Sequence, residues 1–191
     1  MVLSKAEITI ELREISLKNR PQELYNISDK GTVPVLKVDN LVLDESLDIM
    51  NWAIKYSNLN LLDYNENNQL AMITNNDYKF KPWLDKYKYH SRFPENTKEY
   101  YREKATEILD IYETILKSNK YLIGDKIGLA DIAIFPFVRQ FAYVDINWFN
   151  ENYKFSTYWL NKLIESSLFN SVMGKYQVWD SSSNGIIIKF K

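Results

Sequence analysis

The chain has 191 residues, 46% of them hydrophobic and 26% charged, enough for two small domains that each bury a core. Its 24 basic and 25 acidic residues are interspersed and leave a net charge of −1, so no electrostatic footprint for nucleic acid or an anionic membrane is present. Cysteine is absent, which rules out a disulfide framework, a thiolate zinc site and a cysteine nucleophile in these residues; no run reaches the ~20 apolar residues of a membrane span or forms a signal peptide, so the cytoplasm is the expected compartment.

In chain order, Ile8 to Ile15 opens with apolar and polar residues in alternation and is rich in β-branched types, which predicts a strand. Pro21 to Ile27 reads as a short helix opened by proline. Val33–Asp39 and Leu41–Asp44 are β-rich runs on either side of Asn40 and predict a hairpin. From Ser46 to Tyr56 the apolar residues Leu47, Met50, Ala53 and Ile54 have helical spacing, with Ser46 where an N-cap belongs. The polar, asparagine-rich stretch at 59–66 reads as a linker, separating a domain at 1–58 from one at 67–191. Helical periodicity then recurs over 76–89, 97–117, 129–143 and 157–165, and the tail from Ser181 reads as loop followed by a short extended run.

Two places carry candidate chemistry. Pro34 opens a strand, where a missing N–H is tolerated; either it is an ordinary trans proline, or the Val33-Pro34 bond is cis and turns the Val33 N–H and C=O outward to pair with an extended peptide. Asp44-Glu45-Ser46 stands where a strand gives way to a helix. The open amides of that helix start suit a ligand carboxylate and Glu45 suits an ammonium, together matching a free amino-acid head group. The simpler alternative makes Ser46 only an N-cap and Glu45 only a favourable charge in the first turn. His90, the one histidine, has no imidazole or thiol companion for a zinc site and reads as a surface residue; no metal is expected.

Lys18-Asn19-Arg20-Pro21, Gly31-Thr32-Val33-Pro34-Val35-Leu36 and Leu43-Asp44-Glu45-Ser46 together resemble the thioredoxin-like domain of bacterial glutathione transferases, nearest to omega-like members. Tyr121 to Pro136, Lys86-Tyr87-Lys88-Tyr89 and Phe137 to Ala142 are similar to the helical domain of the same group, so the resemblance covers nearly the whole chain. It implies an α/β thioredoxin-like N-terminal domain lacking its first strand, followed by an all-α C-terminal bundle. It also implies that glutathione is the co-substrate, bound in a cleft between domains, with Val33 and Pro34 at its cysteinyl backbone, Glu45 and Ser46 at the γ-glutamyl end, and Arg20 near the glycine carboxylate. A small hydrophobic or electrophilic co-substrate would complete the reaction, in a chain free to form a homodimer. Where the family usually has Ser or Thr at the start of its buried helix this chain has Gly128, an acceptable N-cap, and Asp131 three residues later reads as structural. Trp83, Tyr87 and Phe141 are candidates to line the pocket for the apolar co-substrate.

Family members begin with a strand and a loop that carries the catalytic Cys, Ser or Tyr; Met1-Val2-Leu3 instead aligns inside the helix that follows, and neither Ser4 nor an early tyrosine follows a strand. No catalytic residue is therefore assigned. The missing strand is central in the family's sheet, and losing about three of its buried aliphatic side chains forfeits roughly 5–9 kcal/mol, comparable with the ~5–15 kcal/mol stability of a domain. Either residues upstream of Met1 supply it, or the strand at Ile8 pairs directly with its neighbour. Three functions remain open: a glutathione transferase acting by conjugation or thiol transfer, a non-catalytic transferase-like binding module, and a remnant lacking the catalytic loop.

Overall fold

The computed structural model describes residues 1–62 and 65–190. These fall into two compact units, Met1–Asn60 with Ser167–Lys191 forming one and Leu61–Ser166 the other. Asp63 and Tyr64 of the expected linker, and Lys191, lie outside the described residues. The tail from Ser167, expected within the helical domain at 67–191, groups with the first unit instead.

A backbone ladder accounts for that difference. The first unit contains helices α1 (Val2–Lys5), α2 (Gln22–Ile27) and α3 (Ser46–Ser57), strands β1 (Ile10–Leu12), β2 (Leu36–Val38) and β3 (Leu41–Leu43), and, from the tail, a last short helix and a fourth strand, Ser167–Asn170 and Ile186–Ile188. The tail strand, β4, pairs antiparallel with β1 in the register Ile10↔Ile188, Glu11↔Ile187, Leu12↔Ile186. Further contacts bind the same segments: the Trp179 N–H donates to the Glu14 carbonyl at 2.7 Å, the Arg13 guanidinium lies 4.6 Å over the Trp179 ring, and the Ser4 and Ser171 hydroxyls meet at 2.6 Å. The strand predicted from Ile8 is shorter than expected, and the proposed repair is corrected: β1 does not join the β2–β3 hairpin but takes its partner from the far end of the chain. A three-residue strand has no stability alone, so whichever segment satisfies its N–H and C=O groups becomes part of its unit.

The hairpin β2–β3 forms a second two-stranded sheet, with Leu36 opposite Leu43, and turns at Asp39 and Asn40 without glycine because Asp39 takes the left-handed conformation at φ 51°. Helix α3 buries Ile49, Ala53 and Ile54 on one stripe and stops at Asn58, left-handed at φ 51°, whose N–H returns to the Ile54 carbonyl.

The second unit is helical throughout its named elements: α4 (Glu66–Asn75), a π-turn at Asn76–Phe80, α5 (Lys81–Lys88), a 3-10 turn at His90–Arg92, α6 (Lys98–Leu116), α7 (Leu129–Ala142), α8 (Ile146–Asn152) and α9 (Lys154–Ile164). Helix α6 starts where the Thr97 hydroxyl accepts from the Tyr100 N–H, and it buries Tyr101, Ala105, Ile108, Leu109, Tyr112 and Leu116 at 3–4 residue spacing. Phe80, Leu84, Tyr87, Phe135, Phe141, Phe149 and Trp159 are likewise essentially buried. Tyr87 and Phe141 lie 4.9 Å apart, ring to ring, as core, which corrects their expected place in a co-substrate pocket; Trp83 is half-buried against Tyr100 and Tyr101. Among the described residues no helix is long and apolar enough to cross a membrane.

The start of α7 lies deep in this core. Asp131 is fully buried and accepts from the Leu122 N–H at 2.9 Å, the Gly128 N–H at 2.9 Å and the Trp159 indole at 2.8 Å, a structural role. Burial pushes its carboxyl up, opposed by those three donors. Gly128, the N-cap, has no side chain to accept from the first turn. Gln69 of α4 supplies that acceptor: its Oε1 accepts from the Ala130 N–H at 3.0 Å while its Nε2 donates to the Leu61 carbonyl at 2.9 Å. A Cβ on Gly128 would sit 2.5 Å from the same Oε1, so glycine and glutamine form a matched pair.

Two outcomes follow. Gln69→Ala strands a buried amide and should cost about 1–3 kcal/mol in urea unfolding; Gly128→Ser alone should also destabilise, whereas the double variant should recover part of the loss because the serine hydroxyl takes over the cap. Ending the chain at Gly174 should lower the stability of the first unit by roughly 2 kcal/mol, with hydrogen-exchange protection lost at Ile10–Leu12 and retained in α6 and α7; unchanged protection in β1 would show that β4 contributes nothing.

Candidate functional site

The β2–β3 register determines which residues share an end of the hairpin. Because Leu36 faces Leu43, the segment entering β2 (Val33, Pro34) and the segment leaving β3 (Asp44, Glu45, Ser46) emerge together, away from the Asp39–Asn40 turn. Lys30 ties them: its Nζ donates to Asp44 Oδ1 at 2.9 Å and to Glu45 Oε1 at 2.7 Å. Ser28 donates its hydroxyl to the other Asp44 oxygen at 2.9 Å. Between them, the Gly31 N–H returns to the Ser28 carbonyl at 3.1 Å, and Gly31 is left-handed at φ 58° with the Tyr25 ring packed where a Cβ would be. Only glycine meets both demands.

The Val33-Pro34 bond is cis, and both residues are exposed, Val33 at 46%. Among the described residues the Val33 N–H and C=O make no hydrogen bond. Glu45 is the N-cap of α3 by backbone conformation, and no side chain caps this helix; Ser46 is its first helical residue rather than the N-cap the sequence suggested. The capping-only reading of Ser46 therefore fails. Its hydroxyl is exposed and makes no hydrogen bond among the described residues, and the first amides of α3 are open. Arg20 is exposed on a separate segment, between the Ser16↔Asn19 bridge and Pro21, with no hydrogen bond or ion pair to the hairpin end among the described residues. Gly128 and Asp131 belong to the second unit and take no part here.

The electrostatics are those of two carboxylates sharing one ammonium. The Lys30 hydrogen bond, then that of Ser28, holds the Asp44 carboxyl below the ordinary aspartate range, and hydrogen bonds to Glu45 and Asp44 hold the Lys30 ammonium above the ordinary lysine range. One negative charge is left over beside open amides, a combination that accepts an ammonium and a carboxylate at adjacent points. Lys30 immediately precedes the Gly31–Leu36 motif, yet its partners depend on the fold of the hairpin, so no local pattern assigned it a role. Ser4 is buried, with its hydroxyl on Ser171.

Residues 1–55 match the family model for the glutathione S-transferase N-terminal domain and residues 77–166 that for the glutathione S-transferase C-terminal domain. The chain belongs to the glutathione S-transferase family. Glutathione S-transferase F10 of Arabidopsis thaliana is 32% identical over 77 residues, which span 40% of this chain and only 36% of that relative's length. Among solved structures, glutathione S-transferase-I bound with lactoylglutathione aligns at TM-score 0.74 and 22% identity over 90% of this chain and 89% of that one. A family member from Pseudomonas fluorescens with two glutathione molecules bound aligns at TM-score 0.76 and 17% identity, covering 88% and 83%. These likenesses establish the fold: a small thioredoxin-like α/β unit with few strands and a helical C-terminal unit.

Electrostatic coupling at the hairpin end is measurable directly. The Asp44 carboxyl should titrate by NMR below the ordinary aspartate range and move upward in Lys30→Met. Because the folded value is the depressed one, this contribution to stability is present at neutral pH and disappears as the pH falls through it. A titration unmoved by the substitution would mean that Lys30 does not hold Asp44 in solution.

Proposed function

We propose that the first unit binds glutathione, with Glu45 and Ser46 receiving the γ-glutamyl head group, the Val33 backbone beside Pro34 pairing with the cysteinyl residue, and Arg20 approaching the glycine carboxylate. The observation that carries the reading is the exposed Glu45-Ser46 pair at the uncapped start of α3, at the same hairpin end as the unpaired Val33 backbone. Each polar contact has a protein partner of the right sign, Glu45 being shared with Lys30. The Pseudomonas relative with bound glutathione supports the same ligand class. The co-substrate is then a small hydrophobic electrophile or mixed disulfide in a cytoplasmic, homodimeric protein. Placement among bacterial, omega-like members rests on the motifs at Lys18–Pro21, Gly31–Leu36 and Leu43–Ser46.

A second reading, glutathione binding without turnover, is favoured by one observation: the Ser4 hydroxyl is committed to Ser171, which leaves it unfit to activate a thiol. Calorimetric titration with glutathione should give saturable binding that Glu45→Gln and Ser46→Ala each weaken by about tenfold, the equivalent of one charge-assisted hydrogen bond, with the circular dichroism spectrum unchanged. A wild-type protein that takes up no glutathione at millimolar concentration refutes the assignment, and conjugation of a chlorinated aromatic by this chain refutes the second reading alone.

A further inference from the structure

We propose that Lys30 is an internal competitor for the ammonium seat at Glu45, so that this lysine sets how strongly the site selects ligands that carry a free amino group. The inference rests on the glutathione-binding reading and specifies what that anchor discriminates. Lys30 Nζ lies 2.7 Å from Glu45 Oε1 and 2.9 Å from Asp44 Oδ1, so the carboxylate that would receive the ligand's ammonium already holds a cation.

The two carboxylates are not equivalent. Asp44 is the less exposed and has a second donor in Ser28, whereas Glu45 is 63% exposed and its only side-chain partner among the described residues is Lys30. An arriving ammonium can therefore replace Lys30 at Glu45 while Lys30 stays on Asp44. Such an exchange swaps one exposed ion pair for another and changes affinity modestly, because exposed pairs are weak and pay for the ordering of both side chains. The lysine cannot retreat far. Its backbone is fixed by the Ser28–Gly31 turn and by the left-handed Gly31 packed on Tyr25.

A ligand without an amino group displaces nothing at Glu45, so Lys30 should penalise only amino-bearing ligands. The test titrates glutathione, and its glutaryl analogue in which the γ-glutamyl amino group is replaced by hydrogen, into the wild type and Lys30→Met, with Lys30→Arg as the charge-preserving control. Lys30→Met should bind glutathione roughly threefold to tenfold more tightly, leave the glutaryl analogue within twofold, and Lys30→Arg should match the wild type. Lys30→Gln serves should the methionine variant fail to fold. Equal shifts for both ligands, no shift, or weaker glutathione binding would overturn the inference; the last would mean that Lys30 positions Glu45 or contacts the ligand carboxylate. If the wild type binds glutathione and selectivity does not move, only this inference falls. If neither protein binds glutathione, the binding assignment falls with it.

Discussion

A backbone amide removed from water must find an acceptor, and the architecture of this chain follows from where those acceptors come from. Strand β1 is too short to stand alone and is completed by β4, so residues 174 positions apart become neighbours at Glu11 and Gly185. At the start of α7 the cap lacks a side chain, and a glutamine from another helix fills the gap. Wherever a unit must close, a partner has been recruited across sequence. At one hairpin end, groups are left open where a charge stands beside them: the Val33 backbone and the first amides of α3 lie at the surface next to an excess carboxylate. That open, charged end is the seat proposed for the ligand.

Charge organises the same end of the hairpin. Asp44, Glu45 and Lys30 form a three-member cluster in which the shared ammonium is held above the ordinary lysine range and the Asp44 carboxyl below the ordinary aspartate range. Ser28 and Gly31 hold the lysine's backbone and one carboxylate, leaving Glu45 as the adaptable member. A rigid side and a yielding side within one cluster suit a zwitterionic head group, whose two charges must be met together.

Much of this was legible in the sequence because it is local. The hairpin around Asn40, the helix from Ser46 and the long helices of the second unit follow from side-chain period and turn residues, and the Val33-Pro34 and Glu45-Ser46 motifs point to the hairpin end. What escaped is relational. The run Ile186–Ile188 carries no mark that its partner is Ile10–Leu12, and helix α4 has too few apolar residues among its asparagines to announce itself, although its Gln69 supports α7. Ser46 was displaced by one position from the expected cap, because the backbone of Glu45, not a side-chain hydrogen bond, marks where the helix begins. Tyr87 and Phe141 look the same in sequence whether they line a cleft or fill a core.

The pairing of β1 with β4 also bears on how the protein is made. The chain leaves its first unit after Asn60 and comes back to it only at Ser167, with the whole helical unit in between. During synthesis at about 5–20 residues per second, β1 therefore waits on the order of ten seconds or more before its partner leaves the ribosome. The helical unit, built from nearby contacts, is free to fold in that interval. Of the two units, the one whose synthesis starts earlier is thus completed later, and until then its bare strand edge is a target for chaperones or for the same edge of a neighbouring nascent chain.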